Sequence, residues 1–150
     1  MKFLRRCIPT RKTPKITVNH PVHYHMHPVF TGECHDYAQH MTFDQGNAFK
    51  YLWRCAAKGD MKENILKALW YLNDMQINPS NRLGRLPADM ADKLTCEVTA
   101  ALDWHDKGAI PPKLKAALAC YTAAACVAEG NVHRAWRLAK HALDLLKPLK

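Results

Sequence analysis

No stretch of this chain approaches the roughly 18 consecutive apolar residues that a membrane span requires, and the N-terminus lacks the apolar run of a secretory signal. Neither a membrane partner nor export is expected. The six cysteines (Cys7, Cys34, Cys55, Cys96, Cys120, Cys126) contain no C-x-x-C pair, and several fall in apolar helical runs where a thiol packs as a small hydrophobe. That usage predicts a reducing, cytoplasmic setting. The six glycines stand apart, so neither a G-x-x-x-x-G-K-[ST] loop nor a G-x-G-x-x-G turn can form, which excludes a P-loop kinase. There is no G-x-S-x-G elbow, and no cysteine and histidine are spaced as a nucleophile dyad.

Acid is missing from the first fifteen residues, where Lys2, Arg5, Arg6, Arg11, Lys12 and Lys15 supply six of the nine net positive charges. Pro9 and Pro14 break any helix there, so residues 1–17 read as a basic, flexible arm. Such an arm is either simply solvated or binds nucleic acid through residues 1–15, and phosphate contacts of that kind weaken steeply with salt. The rest of the 150 residues, with 48% apolar and 23% charged residues overall, suffices for one folded core.

Residues 16–31 carry Pro21, Pro28 and the rings of His20, His23, Tyr24, His25 and His27, a composition that predicts an extended, ordered loop. A short helix over 33–41 follows, then a break in which Thr42 or Asp44 can cap the next helix. Phe49, Leu52, Trp53 and Ala56 recur at helical spacing over 47–57, with Gly59 placed as a left-handed terminator and Asp60 as the following N-cap. A third helix runs from Met61 to about Gln76. Residues 78–87 have the composition of a linker, separating a domain over 18–77 from a three-helix extension over 88–150 that packs on the same unit. Those three helices span roughly 88–107, 112–129 and 132–147, the last two forming an antiparallel hairpin around Gly130. The fold class expected is all-α: a small helical bundle with an extended His-rich N-terminal loop and a C-terminal helical hairpin. The Ala-rich and Leu-rich C-terminal half reads as packing or assembly surface, which makes a homo-oligomer an expectation.

At about 100° per residue, Asn47, Lys50, Tyr51, Arg54 and Lys58 share one stripe, opposite the apolar one. A guanidinium grips phosphate oxygens in a fork, a lysine supplies a compact charge, and an amide and a phenol can orient a ribose or base. The alternative is a solvated amphipathic face. On the next helix Glu63, Lys67, Trp70 and Asp74 fall along one line, with Glu63 and Lys67 in the stabilising ion-pair order. Glu33 and Asp36 share a helix face and could hold Mg2+ bridging phosphates, although acids at a helix start also complement its dipole. The cluster of His20, His23, His25, His27, Cys34 and His35 raises a zinc site, but no further spacing completes a tetrahedral set. Neutral hydrogen-bonding or phosphate-contacting roles suit His20 and His23 better.

Taken in order, Asn19-His20-Pro21-x-His23-Tyr24, Gly32-Glu33-x-x-Asp36, Gly46-Asn47-Ala48-x-Lys50-Tyr51-x-x-Arg54 with Lys58-Gly59, and Lys67-Ala68-x-Trp70-Tyr71-Leu72 resemble a bacteriophage nucleotide-kinase-like family whose members include an early nucleotide kinase of short-tailed coliphages. The resemblance spans about residues 18–75. It implies a small helical domain in the infected host cytoplasm that binds nucleotides without a P-loop and phosphorylates (deoxy)nucleoside monophosphates. Carried over by position, Glu33, Asp36, Lys50 and Arg54 are the catalytic candidates, with Glu33 and Asp36 also the metal ligands. His20, His23, Tyr24, Asn47, Tyr51 and Lys58 are then the nucleotide-binding residues. A non-catalytic protein that sequesters a signalling nucleotide of the host would use the same cationic stripe. The His-rich stretch between Tyr24 and Gly32, and Cys55-Ala56-Ala57 after the arginine, depart from the family pattern.

Overall fold

Capping chemistry places most helix ends where the sequence puts its polar and glycine punctuation. The structure is a computed structural model describing residues 26–78 and 82–148. Among them are six helices and no strand: α1 (Cys34–Ala38), α2 (Phe43–Trp53), α3 (Met61–Ile77), α4 (Ala88–His105), α5 (Pro112–Ala128) and α6 (Val132–Leu145). The chain is therefore the all-helical bundle expected. The basic arm, His20, His23, Tyr24 and His25 lie outside the described residues.

Helix α2 begins a full turn before Asn47, because Thr42 takes the N-cap and the Gln45 side chain accepts its amide N–H at 3.4 Å. It also ends early, Arg54 having left helical geometry at φ −96°, ψ 10°. Gly59 adopts the left-handed φ of +71°, and the Asp60 carboxylate accepts the Lys62 amide at 2.8 Å to start α3. Asn64 closes the turn between them, donating from Nδ2 to the Lys58 carbonyl at 2.6 Å. Because the helix stops at Trp53, Cys55 turns into the core and Ala56 is exposed, the reverse of what an unbroken helix would give.

Helix α5 carries apolar residues all round, and between Ala116 and Ala128 only Thr122 escapes full burial. Alanine allows close approach, so α2, α4 and α6 all pack against α5, while α3 lies against α2 and α6. A segment read from sequence as packing or assembly surface is thus the centre of the bundle. The α5–α6 hairpin turns at Gly130, whose φ is +82°. One buried cluster takes residues from both sides of 78–87, including Phe49, Trp53 and Ile65 from one and Leu94, Val98 and Val127 from the other.

Two polar side chains, one buried and one partly buried, tie these parts together. Gln45 donates from Nε2 to the Val127 carbonyl at 3.0 Å and accepts the Gly84 amide on Oε1 at 2.9 Å, which joins α2, α5 and the 82–87 segment. Gly84 lies so near the α1–α2 turn that a Cβ there would sit 2.1 Å from the His40 carbonyl oxygen, so this position needs a glycine for space. Farther round, Glu97 of α4 accepts the Thr31 amide at 2.6 Å and its hydroxyl at 2.8 Å, fixing the segment that leads into α1.

Candidate functional site

The residues with the strongest chemical potential leave the core on the outer side of α2. Successive turns of that helix put Asn47, Lys50, Tyr51 and Arg54 on one face, as the 3.6-residue repeat requires. Asn47 bridges its own helix, donating from Nδ2 to the Phe43 carbonyl at 2.8 Å and accepting Lys50 Nζ on Oδ1 at 2.8 Å. The amide thereby orients the ammonium. Lys50 Nζ lies 4.6 Å from the centre of the Tyr51 ring and the Arg54 guanidinium carbon 4.7 Å from it. Each such contact contributes about 0.5–1 kcal/mol on an exposed surface.

Helix α3 completes the arrangement from the other side of the Gly59 turn. Lys67 brings its Nζ to 5.7 Å from the same Tyr51 ring, and Tyr71 stacks on Tyr51 with centroids 6.1 Å apart and planes 16° apart. Lys67 is also held by Glu63 at 2.5 Å, a hydrogen bond that raises its pKa above the ordinary lysine value. Three cations from two helices thus converge on one phenol. Lys50, Arg54 and Lys67 against the Glu63 carboxylate leave positive charge in excess among these side chains, which suits an anionic ligand.

Lys58 does not continue the stripe. It is exposed in the turn after α2, where its carbonyl serves Asn64. Phe43, and Lys67 and Tyr71 although they stand in the last block of the resemblance, lie outside the candidate site residues, each for a structural reason. The Glu63–Lys67 spacing is satisfied by an ordinary surface pair, and Tyr71 becomes relevant only once α2 and α3 fold back on each other. Phe43 lay before the expected helix start. A period of four joining Lys67 to Tyr71 was the available signal.

The acids of α1 are placed at its N-terminus. Glu33 is the N-cap and Asp36 the third helical position, and the Asp36 Oδ2 accepts the Glu33 amide at 2.9 Å in a capping box. Between them Cys34 points into the core, where burial pushes its thiol up to about 12 while the positive charges of Lys50 and Arg54 oppose the rise. The Cys34 thiol therefore lies within the field of the α2 cations. Asp36 instead faces the side of Tyr37, whose hydroxyl is also within the field of Lys93 and Glu97. Among the described residues no three His, Cys, Asp or Glu side chains gather as a cation site. Cys34 is held as a thiol in the core, and His35 is exposed.

His27, the described member of the imidazole run, has a structural task. Its Nδ1 accepts the amides of Val29 and Phe30, both at 3.0 Å, so Nε2 carries the proton and donates to the Trp53 carbonyl at 2.9 Å. Phe30, Trp53 and Tyr121 surround it with ring centroids 4.8, 4.7 and 4.4 Å away. Burial lowers its pKa to about 3, the Trp53 carbonyl opposing the fall, and the imidazole is neutral. Compared with family models, curated proteins and solved structures, the chain matches none.

Proposed function

We propose that the α2–α3 face binds a nucleotide through its phosphates and that the protein transfers a phosphoryl group between nucleotides. The observation that carries this reading is the convergence of Lys50, Arg54 and Lys67 on Tyr51. Cations so placed neutralise the phosphates of both substrates, which lets an oxygen of a nucleoside monophosphate attack the terminal phosphorus of a triphosphate. The bond from that phosphorus to its bridging oxygen breaks, and two diphosphates result. Catalysis of this kind is mainly positioning and charge stabilisation. The resemblance of residues 18–75 to the phage nucleotide-kinase-like family supports the same activity, with deoxynucleoside monophosphates as acceptors.

Glu33 and Asp36 are already engaged with the backbone of α1, and two carboxylates alone do not make a cation site. Magnesium in this proposal arrives with the phosphates, which supply most of its oxygen ligands, as is usual for that ion. The same engagement favours a second reading, in which the face holds a nucleotide without changing it and the carboxylates are purely structural. The proposal includes an infected host cytoplasm and a homo-oligomeric state; nucleic-acid binding by residues 1–15 is an alternative to it, recognised by binding that weakens steeply with salt.

A thermal-shift screen of mono-, di- and triphosphates, with and without magnesium, tests binding, because a ligand at 100 times its Kd adds about 2.7 kcal/mol to stability. Chromatography of a monophosphate and triphosphate mixture then separates the readings. New diphosphate indicates transfer; an unchanged mixture that still raises the Tm indicates sequestration. No shift with any nucleotide contradicts both.

A further inference from the structure

Two large rings stand exposed at the edge of the cationic face. Phe43, in the first turn of α2, is 76% exposed and Trp70, on α3, is 64% exposed. Both meet the same neighbour edge-on: Phe43 lies 6.2 Å from the Tyr71 ring at 73°, and Trp70 lies 5.0 Å from it at 85°. Tyr71 in turn stacks on Tyr51, which carries the three cations. The surface therefore runs from open rings, across two stacked phenols, to a concentration of positive charge. A nucleotide has the same sequence of parts: a flat base, a sugar with hydroxyls, and phosphates.

We propose that Phe43 and Trp70, seated around Tyr71, form a nucleobase platform for a free nucleoside di- or triphosphate whose phosphates lie at Lys50, Arg54 and Lys67. The inference rests on the reading of the Tyr51 cluster as a phosphate site and adds the base-recognising part to it. Stacking accepts any base because every base has a π face, so the platform supplies affinity and leaves base choice broad. Asn47 lies on the same face of α2 as Lys50 and Tyr51, where a polar group can meet the sugar. Leu66 and Ile77 continue the exposed ridge along α3, which raises the competing possibility of a second copy of the chain. The charge beside the rings favours the nucleotide, since a second copy would bring the same cations to the contact.

The test titrates a nucleoside triphosphate and inorganic tripolyphosphate separately into the full chain and into the Trp70→Leu, Phe43→Leu and Lys67→Gln variants. The expected result is tighter binding of the nucleotide than of tripolyphosphate, with Trp70→Leu and Phe43→Leu each losing at least about tenfold for the nucleotide alone. Lys67→Gln weakens both ligands. Equal binding of the two ligands, undiminished in Trp70→Leu, overturns the platform and leaves the phosphate site standing. Absence of binding by either ligand overturns both. A short single-stranded oligonucleotide that binds tenfold tighter than the triphosphate identifies a strand as the ligand, and so contradicts the proposal. So does a fall in oligomeric state in Trp70→Leu with nucleotide affinity unchanged, which makes the ridge a contact between copies.

Discussion

Two ring clusters built from the same residue types lie on different sides of α2, and they have opposite characters. Around His27 the rings of Phe30, Trp53 and Tyr121 are buried and the imidazole's two nitrogens are both hydrogen-bonded. Around Tyr51 and Tyr71 the rings of Phe43 and Trp70 face solvent, and three cations lie over the Tyr51 ring. The first cluster holds the chain together, and its histidine is neutral because it is buried. The second stabilises little in the isolated chain and presents charge and π surface outward. A histidine or tyrosine is assigned to structure or to ligand binding by how its neighbours satisfy it.

Substitutions should separate the two clusters by size of effect. Trp53→Ala removes a ring that stacks on Phe30 at 5.0 Å and packs between Tyr37 and Phe49. A loss of about 3–5 kcal/mol in urea denaturation is expected, as for other fully buried tryptophans. A much smaller loss would mean that the closed cluster is looser than described.

Acid should also weaken the closed cluster. His27 titrates near 6.5 when unfolded and at about 3 when folded, so the unfolded chain takes up the proton first. Its contribution is therefore complete above about pH 6.5 and declines as the pH falls toward 3. Between about pH 7 and about pH 5 the wild type should lose about 2 kcal/mol through this residue. In His27→Phe the starting stability is lower, because the Val29 and Phe30 amides lose their acceptor, and the loss over that interval should shrink by the same amount. An unchanged pH slope would place the acid sensitivity in other histidines. At the open cluster the expected change is smallest: Trp70→Leu should alter stability by no more than about 0.5 kcal/mol, since the ring is mostly in water. A larger loss would show that Trp70 belongs to the packing and would weaken its assignment to ligand.

The contrast explains what was legible in the sequence. Local features were readable: Thr42 and Asp60 as N-caps, Gly59 as a left-handed terminator, Gly130 as the centre of a helical hairpin, and the Asn47, Lys50, Tyr51, Arg54 face all depend on residues within a few positions of one another. Features made by distant partners were not. His27 meets Trp53 across 26 residues and Gln45 meets Val127 across 82, and no spacing rule announces either bond. The same limit applied to the site, since Lys67 and Tyr71 join Tyr51 only through the pairing of α2 with α3. Helix α5 was readable only as packing or assembly surface, for another cause: its alanines are apolar on every side, which leaves no polar face to show which way it points.

The claim on which the account stands is that the cations around Tyr51 hold phosphate. Calorimetric titration of a nucleoside triphosphate into the wild type and into the Lys50→Gln, Lys67→Gln double variant measures it directly, and both substitutions spare the core. Saturable binding to the wild type that weakens at least about tenfold in the double variant, while the variant without ligand stays folded at the temperature of the titration, is the predicted result. Equal affinity in the two proteins would contradict it.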